Sequence, residues 1–285
     1  MPVRIVQSKQ NARLKELRKA LASPGRNERG LVGIEGPNLV EEALRAGLRV
    51  DCIFIGGESP AATYESEGIA DIDVLLVPGT YLKSILTTES PQPAAALVEI
   101  PDWSWAHVFS AREGSAALVV VLAGIQDPGN LGTIVRSAEA FGATGVVCLP
   151  GTVNAWNPKS VRASAGSMFR VPVISAPEDE ALGRLRGAGV KLLTTKAQGA
   201  QSAELADLAG PVALMIGNEG NGVPPDLAAK ADGAITIPCP GPVESLNAAV
   251  AASVLLYEVA RQRAGHRQRP AKGGQALGKA RGGKR

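Results

Sequence analysis

The sequence predicts an α/β fold: a parallel-sheet domain preceded by a small α/β domain. Three observations lead there. Apolar segments of strand length alternate with helical segments through the second half of the chain, the pattern of a mostly parallel sheet covered on both faces. Ala117–Ala123 is a continuous apolar run, as expected of a strand buried on both sides. With 285 residues, 45% of them hydrophobic, the chain can build one large core or two ordinary ones.

Taken in order, Gln10–Leu21 places Leu14, Leu17 and Leu21 among bases and reads as an amphipathic helix stopped by Ser23-Pro24-Gly25. A strand at Leu31–Ile34 and a helix at Pro37–Ala46, closed by Gly47, follow. Strands at Val50–Ile55, Val74–Val77 and Ala94–Ile100, with a short helix at Tyr81–Ile85, complete the first unit. Asp102–Ser115 has no clear periodicity and reads as a connection. The second unit has expected strands at Ala117–Ala123, Gly145–Leu149, Val171–Ile174, Val190–Thr194, Val212–Ile216 and Ala234–Ile237. Its expected helices are Asn130–Phe141, Lys159–Ala165, Glu178–Arg186, Pro225–Ala231 and a last one from about Ser245 to Arg263. The expected division is 1–108, a linker 109–116, 117–263, and a basic tail 264–285 with no apolar periodicity, expected to be disordered in the absence of a binding partner.

Composition narrows the function. No apolar run reaches the roughly 18–20 residues of a membrane span, and the first residues lack the apolar stretch of a signal peptide. Cys52, Cys148 and Cys239 form neither a zinc pattern nor a disulfide framework, so a reducing, cytoplasmic setting is expected. Two histidines, His107 and His266, leave little room for histidine-based catalysis or a metal site, and none is expected. Charge is uneven. Residues 261–285 carry nine Lys/Arg and no acid, and residues 1–30 carry eight Lys/Arg against Glu16 and Glu28. Basic ends on an acidic body suit a polyanion such as RNA, although a solvated tail gives the same pattern.

Three glycine-rich polar segments each follow an expected strand: QDPGNLG (126–132), GNEGNG (217–222) and PCPGPVESLN (238–247). Ligands of open α/β sheets bind beyond the C-terminal strand ends, where glycines admit a ligand to backbone and helix N-termini offer free N–H groups. None of the three is the dinucleotide-binding G-x-G-x-x-G or a P-loop. Read bottom-up, Arg136 is also compatible with a half-buried helix position, Glu219 with a turn, and Ser245 with the cap of the last helix.

Together DPGNLGTIVRSAEAFG (127–142), IGNEGNGVP (216–224) and IPCPGPVESLNAAVAASVLLYE (237–258) resemble, in order, the motifs of the SpoU (TrmH-like) family of RNA 2′-O-ribose methyltransferases in the SPOUT superfamily. GLVGIEGPNLVEEALRAG (30–47) is similar to the L30e-like substrate-binding domain that often precedes them, without the aromatic usual at one of the positions of Val32 and Ile34. The resemblance implies a C-terminal trefoil knot, a homodimer with the active site near the subunit boundary, and S-adenosyl-L-methionine as methyl donor without a metal. It implies catalytic roles for Asn130, Arg136, Glu219, Ser245 and Asn247. It places the donor among Gly217, Asn218, Gly220, Ile237 and Leu246, and RNA against Arg29, Glu35, Gly36 and Arg136. Ribosomal RNA is the expected substrate. Transfer RNA, and a non-enzymatic RNA-binding role, are the alternatives.

Overall fold

The computed structural model describes residues 3–57, 72–88, 92–111 and 115–267. The first unit contains β1 (Val3–Ile5), α1 (Ala12–Ala22), β2 (Leu31–Glu35), α2 (Pro37–Arg45), β3 (Val50–Gly56), β4 (Asp73–Val77), α3 (Gly79–Lys83) and β5 (Ala94–Glu99). Its sheet has the order β1-β4-β3-β5-β2, with β5 antiparallel to both neighbours and the remaining pairs parallel. Helix α1 starts where the Asn11 side chain accepts from the Arg13 and Leu14 amides, and it buries Leu14, Leu17 and Leu21 against this sheet. Gly47, at φ +71°, closes the turn after α2 as expected.

The second unit comprises α4 (Trp105–Val108), β6 (Leu118–Ala123), α5 (Pro128–Ala140), β7 (Gly145–Cys148), α6 (Pro158–Ala163), a 3-10 turn (Ser167–Phe169), β8 (Val173–Ser175) and α7 (Glu178–Gly187). It continues through β9 (Lys191–Thr195), β10 (Gln201–Ser202), β11 (Val212–Gly217), α8 (Pro225–Ala228), β12 (Gly233–Thr236) and α9 (Ala248–Arg267). Its seven strands run β10-β12-β9-β11-β6-β7-β8, and every pairing is parallel. Alternation along β6 feeds two cores. Val120 and Leu122 pack with Ile134, Leu214 and Leu256 on one face, while Val119 and Val121 pack with Leu182, Leu185 and Met215 on the other. Each such side chain contributes about 1.5–3 kcal/mol of burial before entropy is counted.

Three expectations change. Asp102–Ser115 is not merely a connection: Trp105–Val108 is helical, Val108 is fully buried, and Trp105 Nε1 donates to Glu180 Oε1 at 3.0 Å. Its aromatic and β-branched residues bind it to the face of the second sheet. The last helix does not begin at Ser245. Asn247 caps it, accepting from the Ala249 and Val250 amides, and the helix continues to Arg267. Finally, β1 and β10 are additional strands. The tail expected to be unstructured from 264 starts as helix instead, since α9 carries residues 264–267; its remainder, from 268 onward, lies outside the described residues.

The two units are joined by polar contacts, one set around the buried Glu35 and one at the half-buried Arg170. Arg162 Nη1 donates to Glu35 Oε1 at 2.7 Å, and the Glu35 carboxylate also accepts from Thr87 N and Thr87 Oγ1 at 2.8 and 2.9 Å. Arg170 bridges Glu42 on α2 and Glu139 on α5. That guanidinium holds the Glu139 carboxyl below the usual carboxylate range.

Candidate active site

Helices α5 and α6 cross so closely that a side chain at Gly132 would strike the Ser160 carbonyl and come within 2.6 Å of Ala163 Cβ. Glycine there lets α5 seat with its N-terminus beside the strand-end loops. Asp127 caps α5 through the Gly129 amide and pairs with Lys159 Nζ at 2.8 Å, which keeps its carboxyl below the ordinary range.

The loop after β11 is shaped by Asn218. Its Oδ1 accepts from the Gly220 and Asn221 amides, its backbone pairs with Gly222 in both directions, and its Nδ2 donates to the Gly124 carbonyl at 2.9 Å. Gly217 is needed for an internal reason. A Cβ there would overlap the loop's own backbone at Gly222 and Val223. Glycine in such a loop suggests close approach of a ligand; the structure shows the chain approaching itself.

Beside this loop lies a cleft of about 390 Å³. All five residues expected to hold a donor line it: Gly217, Asn218, Gly220, Ile237 and Leu246. Glu219 and Ser245 line it as well. The wall also includes Thr195, Lys196 and Ala197 from the loop after β9, which sequence reasoning missed. The available signal was weak: a further polar segment following an apolar strand.

At the mouth, three motif residues meet across the fold. Asn130 Nδ2 donates to Glu219 Oε1 at 2.7 Å, and Asn247 Nδ2 donates to Asn130 Oδ1 at 3.1 Å. Asn130 fixes both other side chains, so the start of α5, the β11 loop and the start of α9 are tied at one point. Ser245 is exposed on the third loop. Arg136 lies about 9 Å along α5 from Asn130 at 1.5 Å per residue. It is exposed and makes no hydrogen bond or ion pair with any described residue.

The candidate RNA residues of the first unit are placed differently. Glu35 is only 5% exposed and occupied by its three internal donors. Arg29 is half-exposed and pairs with Asp51 at 2.7 Å and Glu16 at 3.2 Å. Gly36, at φ +96°, precedes α2 and lines a cavity of about 310 Å³ with Arg162. Cys239 is an exposed thiol lining the strand-end cleft, whereas burial pushes the Cys52 and Cys148 thiols up to about 12. Among the described residues no group of three or more His, Cys, Asp or Glu could hold a metal, and no helix is long and apolar enough to cross a membrane.

Fold and site define an α/β protein with a small-ligand cleft built from glycine-bearing loops at the C-terminal ends of parallel strands. Residues 117–257 match the model of the SpoU rRNA Methylase family, and residues 11–96 match that of the MRM3-like substrate binding domain. The chain is 33% identical over 254 residues to the 23S rRNA (guanosine(2553)-2′-O)-methyltransferase RlmP of Bacillus subtilis, covering 89% of this chain and 98% of the relative. It resembles the SpoU methyltransferase AviRb from Streptomyces viridochromogenes, solved in complex with the cofactor AdoMet, with TM-score 0.76 and 28% identity over 90% of this chain and 99% of that one. An AdoMet-bound rRNA methyltransferase from Sinorhizobium meliloti superposes with TM-score 0.78 at 31% identity, over 91% and 98% of the two chains. The chain therefore belongs to the SpoU family of RNA methyltransferases.

Proposed function

We propose that this protein transfers a methyl group from S-adenosyl-L-methionine to a ribose 2′-oxygen of ribosomal RNA. The observation that carries the reading is the Asn130–Glu219–Asn247 junction at the mouth of the strand-end cleft. The cleft suits the donor. Its volume is in the range of small-molecule sites, and Ile237, Leu246 and Leu255 offer apolar surface to a flat base. The Glu219 and Glu244 carboxylates stand where a cation is to be accommodated. The donor supplies an electrophilic methyl group.

The chain's own residues have the remaining tasks. Glu219 holds Asn130, and Asn130 holds Asn247, so the mouth is preorganised before RNA arrives. Ser245 offers a hydroxyl beside it. Arg136 presents a fork with no partner among the described residues, suited to grip a phosphate in bidentate fashion and align the neighbouring 2′-hydroxyl. A guanidinium titrates above about 12, so its role is to anchor and orient rather than to remove the proton as a free base.

The active unit is a homodimer. Val250, Val254 and Tyr257 are 49, 41 and 54% exposed and form one stripe of α9 at helical spacing. Arg136 borders that stripe: its neighbour Ser137 bonds Ser253 at 2.7 Å, and Phe141 meets Tyr257 edge-on at 5.8 Å. Pairing along the stripe brings Arg136 to the subunit boundary. The C-terminal strands, loops and α9 form the trefoil knot of the family. The first unit recognises RNA, with Arg29 at its surface and Glu35, beside Gly36, tying the end of β2 to Thr87 and Arg162.

Calorimetry with S-adenosylmethionine and methyl incorporation into ribosomal and transfer RNA transcripts test the reading. Donor binding with incorporation into ribosomal RNA is expected. Donor binding with incorporation only into transfer RNA would replace the substrate, and RNA binding without donor binding would replace the enzyme with an RNA-binding protein.

A further inference from the structure

The chain has three tryptophans, and two of them, Trp103 and Trp156, line one cleft of about 700 Å³ between the two units. Its walls come from both sides: Gly25, Arg26 and Ile100–Trp103 on one, Cys148–Pro150, Thr152–Trp156 and Val173–Pro177 on the other. The third tryptophan, Trp105, has its indole N–H bound to Glu180. Among the described residues Trp103 has no such partner: its Nε1 is buried with no acceptor, and the ring is held edge-on against His107 at 5.3 Å. Trp156 stacks against Phe169 at 6.4 Å. Arg26 stands exposed at the mouth, and its ion pair among the described residues is a long one, to the fully exposed Asp102 at 4.0 Å, which holds its charge only weakly. Asn154 accepts from the Trp156 amide through Oδ1, and its Nδ2 donors have no acceptor among the described residues.

This cleft adjoins the donor site. The Gly124 amide donates to Thr152 Oγ1, which lines the tryptophan cleft, and the Gly124 carbonyl accepts from Asn218, which lines the donor cleft. The two sites therefore share the wall at the end of β6, one over β9 and β11, the other over β7 and β8. From β11 to β7 is two strand spacings, about 10 Å in all. Flat aromatic surface, an amide donor and a free guanidinium make up a site for an unpaired base with its phosphate.

We infer that the interdomain cleft of Trp103, Trp156, Arg26 and Asn154 binds an unpaired base of the substrate RNA close to the nucleotide being methylated. The inference rests on the RNA-methyltransferase reading for its ligand. Its position between the two units gives it a function neither has alone, since the splayed base fixes how far the RNA enters from the first unit toward the donor.

The test uses the full chain carrying Trp105→Phe, so that fluorescence reports Trp103 and Trp156 only. A short single-stranded oligoribonucleotide is expected to quench it saturably. Adding Trp103→Leu should weaken that binding about tenfold or more, the usual range for losing a base stack, while Trp103→Phe should restore most of it. In methyl transfer, Trp103→Leu should raise KM for RNA by a similar factor with kcat within about twofold and S-adenosylmethionine affinity and Tm unchanged. An abasic substitution at one position near the target should weaken wild type but not Trp103→Leu. If Trp103→Leu folds, binds the donor and keeps wild-type affinity and KM, the proposal is overturned. Saturable quenching by guanosine 5′-monophosphate that RNA fails to compete would also overturn it, assigning the cleft to a free nucleotide. Failure of the methyltransferase reading has another signature: no methyl incorporation into any RNA, whatever the quenching shows.

Discussion

The chain uses the same local device twice, a Glu-Gly pair at the end of a strand, and puts it to opposite ends. Glu219-Gly220 follows β11 and Glu35-Gly36 closes β2. Glu219 is exposed at the mouth of a cleft, holding one side chain, Asn130. Glu35 is buried and holds three donors, one of them Arg162 from 127 residues away. The first carboxylate organises a surface that a substrate can reach, and the second fastens two units together. A motif residue's job is therefore set by which distant side chain meets it, a fact that local spacing does not contain.

Predictions follow from breaking either side of this pair. The largest effect on turnover is expected at Arg136. Arg136→Ala and Arg136→Lys should each lose about 100-fold or more in methyl transfer, because Lys keeps the charge without the fork. Donor affinity by calorimetry should stay within about twofold, and substantial activity in Arg136→Ala would remove the anchoring role. Glu219→Ala should lower the rate by roughly tenfold or more with Tm nearly unchanged, since its bond lies at the surface. Glu35→Ala should do the reverse. It leaves Arg162 without its carboxylate and should cost about 2–3 kcal/mol, seen as a Tm lower by roughly 5–10 °C, with kcat affected much less. Were Glu219→Ala to lower Tm as much as Glu35→Ala does, the contrast between the two would collapse.

Gly217→Ala sharpens the donor side. Its Cβ meets the Gly222–Val223 backbone, so the loop must shift, and donor affinity should fall by about tenfold even though alanine adds nothing to the cleft itself. The smallest effect is expected with acid. Glu139 titrates below its ordinary 4.5 because Arg170 donates to it, so its contribution is fully present above about pH 4.5 and is lost as pH falls through its lowered value. Tm should decline along that acid limb, and Glu139→Gln should flatten the decline.

Much of the fold was legible because it is written in local pattern. The run at 118–123 announces a doubly covered strand, and Asn11 and Gly47 mark helix ends by their own chemistry. Two of the glycine-rich loops, after β11 and before α9, line one strand-end cleft, and their place at strand ends was readable from the apolar runs before them. The missing parts depend on tertiary partners. Gln201–Ser202 has no strand pattern and exists because it pairs with Ile235 and Thr236. Val3–Ile5 leaves both apolar side chains exposed and is an edge held by Val74–Leu76. Ser245 and Asn247 are equally good caps by type, and only the position of the helix start chooses Asn247. Likewise Glu35 carries no local sign that Arg162 will enclose it.

The central claim is tested most directly by the acceptor atom. Full-length protein, labelled S-adenosylmethionine and ribosomal RNA transcripts allow the methylated nucleotide to be mapped by mass spectrometry, and the same RNA can then be made with a 2′-deoxy sugar at that one position. The account predicts methyl on a single ribose 2′-oxygen in the first RNA, and unchanged binding with no transfer in the second. Methyl found on a base, or transfer that persists to the deoxy RNA, would contradict it.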